Sequence, residues 1–274
     1  MRGRVLVIAG SDSGGGAGIQ ADIKAITALG GYAATAVTAL TAQNTLGVHG
    51  VLPVPPDFVR AQMRVVLDDI GADAIKTGML GDADTIVAIC EELPARAAGI
   101  PLVVDPVMVA KGGARLLADE ALAALRARLI PLASLLTPNL PEAETLLGIS
   151  IGDAAAMPAA AEALRSLGAA AALLKGGHLP GDEIVDVLAT AAGVVEFRSP
   201  RIATRHTHGT GCTLASAIAA GLAQGMKLHD AVVRARAYVQ AALRAAPGFG
   251  AGHGPLNHAV TVDPARLAAL GSAE

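Results

Sequence analysis

An α/β fold with one mostly parallel sheet, covered by helices on both faces, is what this sequence predicts, and three observations carry that prediction. Short apolar runs alternate with longer stretches whose apolar residues recur at helical spacing. Two of the runs, Val5-Leu6-Val7-Ile8-Ala9 and Leu102-Val103-Val104, are apolar throughout, the pattern of strands buried on both sides. The 274 residues are 53% hydrophobic, enough for a substantial core, and no repeat or low-complexity linker divides them. A single domain over residues 1–274 is expected.

In chain order, Arg2 and Arg4 before the first apolar run imitate a secretion signal. The run is short and leads into Asp12 and glycines without a cleavage-like site, so residues 4 to 9 read as a buried strand. Residues 10 to 18 form a glycine-rich loop, and Ile19, Ile23, Ile26 and Leu29 mark the helix after it. Thr35, Val37, Thr38 and Thr41 read as a strand whose end carries Gln43-Asn44-Thr45. Residues 25 to 56 contain no Asp, Glu, Lys or Arg and read as buried interior. Thr38, Gln43, Asn44, Pro53 and Pro55 interrupt them, so no run approaches the ~20 apolar residues of a membrane-spanning helix.

Val59, Met63, Val66, Leu67 and Ile70 mark a second helix, residues 73 to 79 a strand and its exit loop, and residues 84 to 93 a third helix. Leu102-Val103-Val104 places Asp105 at a carboxyl end, where ligands lie in parallel sheets. A helix is expected over 117–129, a strand over 135–137, and a helix through Leu147 that starts from Pro138-Asn139-Leu140-Pro141-Glu142. Residues 156 to 167 read as a helix and 171 to 178 as a strand ending at Lys175-Gly176-Gly177. Alternation at 184–188 and 194–197 predicts a hairpin, and helices follow at 212–225 and 228–245.

Several function classes are excluded. Net charge is -3, no Lys or Arg cluster stands out and aromatics are 2%, so a nucleic-acid partner is not expected. Cys90 and Cys212 give neither a disulfide framework nor a zinc spacing, and His206, His208 and Cys212 lack a further ligand, which fits a reducing compartment. A dinucleotide fingerprint fails because positions 19, 21 and 12 are Ile19, Ala21 and Asp12. No Gly-Lys pair exists, so a P-loop is absent.

The stretch His208-Gly209-Thr210-Gly211-Cys212 is the most informative. Its glycines permit a tight turn straight into a helix, leaving the N–H groups of Thr210, Gly211 and Cys212 gathered at the positive end of the dipole. That is a place for an anion. The dipole is expected to lower the Cys212 thiol's pKa and favour the thiolate, able to take a proton. The same residues also suit a glycine turn before a core helix with a buried, inert cysteine. Beside it, other strand and loop ends offer Asp105, Asn139 with Glu142, and Lys175. Each has a structural reading, as turn cap, helix N-terminal acid or solvated end. Together they are what phosphoryl transfer needs: carboxylates for Mg²⁺, a lysine on the phosphates and backbone donors for the developing charge.

The segments 9–22 (Ala9-Gly10-Ser11-Asp12 to Asp22), 38–45, Asp105-Pro106-Val107-Met108, 137–144, Lys175-Gly176-Gly177-His178, 208–212 and 252–258 closely resemble the hydroxymethylpyrimidine/phosphomethylpyrimidine kinases of thiamine biosynthesis, in the ribokinase-like superfamily. The resemblance runs from about residue 5 to residue 258 and implies a three-layer α/β/α fold, ATP with Mg²⁺, a cytoplasmic setting and a homodimer. It implies two successive phosphorylations of 4-amino-5-hydroxymethyl-2-methylpyrimidine. Carried over, Gln43 recognises the aminopyrimidine, its amide matching a ring nitrogen beside an exocyclic amine. Gly10, Ala17, Met79 and Val107 line the pocket. Cys212 takes the place of the aspartate base of sugar kinases in the superfamily. Arg236 stands where many relatives have lysine. A pyridoxal kinase of the same superfamily is the nearest rival, and a non-catalytic pyrimidine-binding module a more distant one.

Overall fold

The computed structural model of the protein describes residues 2–108 and 119–265. Its chain runs β1 (Arg4–Ala9), α1 (Gly18–Ala28), β2 (Tyr32–Val37), β3 (Ala39–Asn44), β4 (Gly47–Pro53), α2 (Pro56–Asp69), β5 (Ala74–Thr77), α3 (Ala83–Arg96) and β6 (Leu102–Val104). There follow α4 (Asp119–Ala124), β7 (Leu135–Leu136), α5 (Leu140–Leu147), α6 (Met157–Arg165), β8 (Ala172–Lys175), β9 (Glu183–Thr190), β10 (Gly193–Pro200), α7 (Thr210–Ala223) and α8 (Leu228–Arg244).

Eight strands form one sheet in the order β10-β9-β8-β7-β6-β5-β1-β2. Pairing is parallel from β2 through β8, and β9 and β10 add an antiparallel hairpin at one edge. Successive side chains of a strand point to opposite faces, and β1 shows the result. Val5 and Val7 join the core under α1, α7 and α8, while Leu6 and Ile8 join the core under α2, α3, α5 and α6. The outcome is the expected three-layer α/β/α arrangement. Parallel connections put the carboxyl ends of β1, β5, β6, β7 and β8 on one edge, where the functional loops gather.

Local chemistry explains the helix that matters most there. Asn139 and Glu142 form a reciprocal capping box, Pro141 sits in the first turn where its missing N–H costs nothing, and Gly148 ends α5 in the left-handed region at φ 69°. The helix expected over 117–129 departs from regularity. Residues 117 and 118 lie outside the described residues, and α4 passes into a π turn over Leu125–Leu129 and a 3₁₀ turn over Ile130–Leu132 that contains Pro131.

Two expectations are corrected. The stretch from Thr35 to Thr45 is not one strand: the chain leaves the main sheet at Thr38, whose N–H donates to Ala9 O at 3.1 Å and whose hydroxyl donates to Met79 O at 2.6 Å. Beyond it, β3 and β4 pair as a separate two-stranded flap. Nor is the charge-free stretch buried interior, because a two-stranded ribbon has only one face to pack and turns the other to solvent. Leu40 is 49% exposed, and Leu46 and Leu52 are each 65% exposed. Among the described residues, no helix is long and apolar enough to cross a membrane.

Candidate functional site

A cavity of about 810 Å³ opens at the carboxyl edge of the sheet beneath the flap, and every site residue singled out from the sequence lines it. Its floor is the start of α7. Gly209 has φ 80°, and a Cβ there would lie 1.8 Å from Gly16 O, so only glycine fits this contact between two loops. The Thr210 hydroxyl donates to Thr207 O at 2.7 Å, and the Thr210 N–H reaches the same carbonyl at 3.4 Å. Two of the three expected donors therefore remain free: among the described residues, no acceptor meets the N–H of Gly211 or Cys212. They sit in the first turn of a 14-residue helix, where the dipole adds to them. The space a Cβ on Gly211 would fill lies 3.3 Å from Lys175 Nζ and 3.8 Å from Asp105 Oδ2. A cradle of amides beside a lysine suits a phosphate group.

Asp105, just past β6, accepts on Oδ1 from Lys175 Nζ at 3.0 Å and from the Thr137 hydroxyl at 3.1 Å. Glu142 accepts from Asn139 N–H on Oε2 at 2.8 Å, and Asn139 Oδ1 accepts in turn from Glu142 N–H at 2.9 Å. The Asn139 amide oxygen is thus engaged in the cap, and its part is to position Glu142 rather than to reach a metal freely. Burial pushes the Glu142 carboxyl up to about 7, with Asp105 adding to it and Lys175 opposing. Lys175 is held charged against its burial by Asp105 and Glu142. Asp105 Oδ2 and Glu142 Oε1 have no donor among the described residues, so two carboxyl oxygens stand open beside Lys175. That donor set fits a hard divalent cation such as Mg²⁺.

Cys212 corrects an expectation. Burial pushes its thiol up to about 11, with Asp22 and Asp105 adding to the effect and Lys76 and the nearby Gly18 N–H opposing it. The helix dipole does not overcome desolvation, so the resting group is the thiol. Beneath it lies a wholly buried ion pair, Lys76 Nζ with both Asp22 oxygens at 2.9 and 3.0 Å, to which Ser216 donates at 2.7 Å. Burial works against the Lys76 charge, but Asp22 outweighs it, with help from Cys212 and Asp105, and keeps the ammonium. This pair was not anticipated. The signal was present: Lys76 interrupts an apolar strand, and Asp22 lies on the same helix stripe as Ile19 and Ile26.

At the other end of the cavity, Gly10 donates to Met79 O at 3.1 Å, and Ala17 and Val107 complete a mostly apolar wall. Gln43 reaches in from β3, where the flap's pairing steps from Ala42↔Gly50 to Gln43↔Val48 and leaves His49 over. Asp12 and His208, also not anticipated, meet here: His208 Nε2 lies 2.8 Å from Asp12 Oδ2. The Asp12 carboxylate also accepts from the N–H groups of Gly14, Gly16 and Ala17 at 2.8, 3.0 and 2.8 Å. Burial opposes its charge, but His208 and the amides of Ala17 and Gly14 outweigh that and hold its pKa below the ordinary value. The segment from Gly252 ties the flap to this loop. Gly252 N–H and His253 N–H donate to Thr45, and Gly254 O accepts from His208 N–H.

On the far wall Arg236 is committed to the fold. Its Nε donates to Asp186 Oδ2 at 2.8 Å, its guanidinium lies 5.4 Å from the Phe197 ring centroid, and Asp186 accepts from Gly176 N–H at 3.0 Å. Arg236 thereby braces the glycine pair after Lys175.

The chain resembles known proteins over most of its length. The profile of the family described as phosphomethylpyrimidine kinase matches residues 12–257. The chain is 54% identical over 265 residues to the thiamine biosynthesis bifunctional protein ThiED of Geobacter sulfurreducens, covering 97% of this chain and 54% of that longer protein. It is 50% identical to a hydroxymethylpyrimidine/phosphomethylpyrimidine kinase of Streptomyces coelicolor, with 93% of each chain covered. Among solved structures, an ADP complex of Bacillus subtilis pyridoxal kinase superposes with a TM-score of 0.87 at 36% identity, covering 97% of this chain and 100% of that one. Anion cradle, facing carboxylates and Gln43 lie within the matched span, and the chain belongs to the phosphomethylpyrimidine kinase family.

Proposed function

We propose that the protein uses ATP to phosphorylate 4-amino-5-hydroxymethyl-2-methylpyrimidine, and then its monophosphate, in thiamine biosynthesis. The observation that carries this reading is one cavity holding both Gln43, a donor and acceptor suited to an aminopyrimidine edge, and the Gly209 to Cys212 cradle with Lys175. In the first transfer Cys212, in its thiolate form, takes the proton of the hydroxymethyl group as its oxygen attacks the γ-phosphorus. The N–H groups of Gly211 and Cys212 and the ammonium of Lys175 meet the charge that moves onto the phosphoryl oxygens. Asp105 and Glu142, with Asn139 behind Glu142, would hold Mg²⁺, which supplies charge neutralisation at the phosphates. In the second transfer the acceptor is a phosphate oxygen, already ionised near neutral pH, and no base is required.

The test is Cys212→Ala with mono- and diphosphorylated pyrimidine resolved. The first transfer should slow by roughly 10²- to 10⁴-fold and the second far less. Equal losses would make Cys212 part of the cradle geometry only. The pyridoxal kinase reading is favoured by the superposition described above and opposed by Gln43, since pyridoxal has no exocyclic amine to offer its amide. Parallel turnover with pyridoxal and the aminopyrimidine separates the two. A non-catalytic binder would show no pyrimidine-dependent ATP consumption. We also propose that residues 1–274 form one kinase domain in the cytoplasm, and that two copies associate. Support for association is the apolar outer face of the flap, where Leu40 and Leu52, opposite each other across the ribbon, are solvent-exposed.

A further inference from the structure

Gln43 offers one carbonyl oxygen and one NH₂, and which of them faces which neighbour decides what a ligand meets. As placed, Gln43 Oε1 lies 3.3 Å from Thr41 Oγ1 and Gln43 Nε2 lies 3.4 Å from His208 Nε2, and a half-turn of the amide exchanges the two. Oxygen and nitrogen of an amide are told apart by their partners, and here both partners are determined.

Thr41 has one hydroxyl proton. Its Oγ1 lies 2.8 Å from the carbonyl oxygen of Ser11, an acceptor only, so the proton lies on that line. Toward Gln43, Thr41 can therefore only accept. At the other end, Asp12 Oδ2 already accepts from Gly16 and Ala17 N–H and has no room for a proton of its own. The short contact to His208 must then be a donation from His208, so Nε2 carries hydrogen. That hydrogen is directed at Asp12, so toward Gln43 the protonated Nε2 has no lone pair to offer and cannot accept from an NH₂.

We propose that Asp12, His208 and Thr41 are positioning residues that lock the Gln43 amide with its oxygen toward His208 and its NH₂ toward Thr41. This rests on the aminopyrimidine reading above and adds a direction to it. The free lone pair of the amide oxygen receives the substrate's exocyclic amine at the His208 end. The second N–H meets the ring nitrogen at the Thr41 end. The hydroxymethyl carbon is bonded to the ring position next to the amine-bearing one, so it too is brought to the His208 end, where the chain turns at Gly209 into the cradle. The opposite amide polarity would receive the same ring turned over, with its hydroxymethyl group directed away from Cys212.

Two measurements test this. In ¹⁵N-histidine-labelled enzyme, with the His208 signals assigned by their loss in His208→Gln, Nε2 should carry the proton from pH 6 to 9. An Nδ1–H tautomer with bare Nε2 overturns the proposal whatever the substrate is. Kinetically, Thr41→Val should lower kcat/KM for the aminopyrimidine by roughly 10- to 50-fold, the scale of one lost polar match, while an analogue lacking the 4-amino group changes less than about twofold. Thr41→Ser, which keeps the acceptor, should recover activity to within about threefold of the wild type. Equal loss for both substrates, or no rescue by serine, overturns it. A wild type that phosphorylates neither pyrimidine removes the functional reading, while the tautomer still decides the amide lock.

Discussion

The thiol of Cys212, held near 11, makes a quantitative statement about the first transfer. If the reactive base is the thiolate, only about one enzyme in 10³ carries it at pH 8, because each unit below the pKa costs a factor of ten. The rate of the first transfer should then climb about tenfold per unit from pH 7 to pH 10 and bend only near 11. A thiol at the ordinary 9.0 would bend two units earlier. The second transfer needs no base and should stay flat over the same range, which serves as an internal control for loss of fold or of nucleotide. The assay is single-turnover formation of mono- and diphosphate across that range, in wild type and Cys212→Ala. A plateau already reached by pH 9, or the same profile for both transfers, would refute the reasoning. The physical content is that desolvation by the sheet outweighs both the buried Lys76 ammonium and the helix dipole.

Further outcomes follow from other contacts. Gly209→Ala puts a Cβ 1.8 Å from Gly16 O at φ 80°, so the cradle must shift; kcat should fall by about 10²-fold or more, with KM for the pyrimidine changed far less, as steady-state kinetics will read. Glu142 is raised from 4.5 to about 7, so the fold favours its neutral form. Its contribution to stability is full below pH 4.5 and is lost as pH rises through 7, a difference of about 3 kcal/mol that urea titrations of wild type against Glu142→Gln should recover. A wild-type stability that rises relative to the variant over that window has the wrong sign for this account. Lys76→Met leaves the buried Asp22 carboxyl without its counter-charge and with Ser216 still donating to it, and should cost about 3–5 kcal/mol in urea unfolding, most of it regained in Lys76→Met/Asp22→Leu.

Much of this protein was legible before any coordinates. Periodicity and strand composition are local, and they located α1, α2, α5, α7, α8 and the buried strands, because a helix stripe or an apolar run needs only its own residues. The capping box of Asn139 and Glu142 and the turn at Gly209 are likewise written within a few positions. So were the parts of the site, since carboxylate, lysine and glycine each stand at a strand or loop end. What local reading could not reach is where one segment meets another far along the chain. Asp12 meets His208 across 196 positions, and Ser216 meets Asp22 across 194, and neither partner announces the other. The flap deceived for the same reason: lack of charge resembles a core, but only the tertiary arrangement decides whether a ribbon's second face has anything to cover it. The sequence by itself determined the layers and the chemical inventory of the cavity. Only the folded structure decided the burial that raises the Cys212 thiol and the partners that meet each end of the Gln43 amide, because desolvation and hydrogen bonding depend on everything packed around a group and not on its neighbours in the chain.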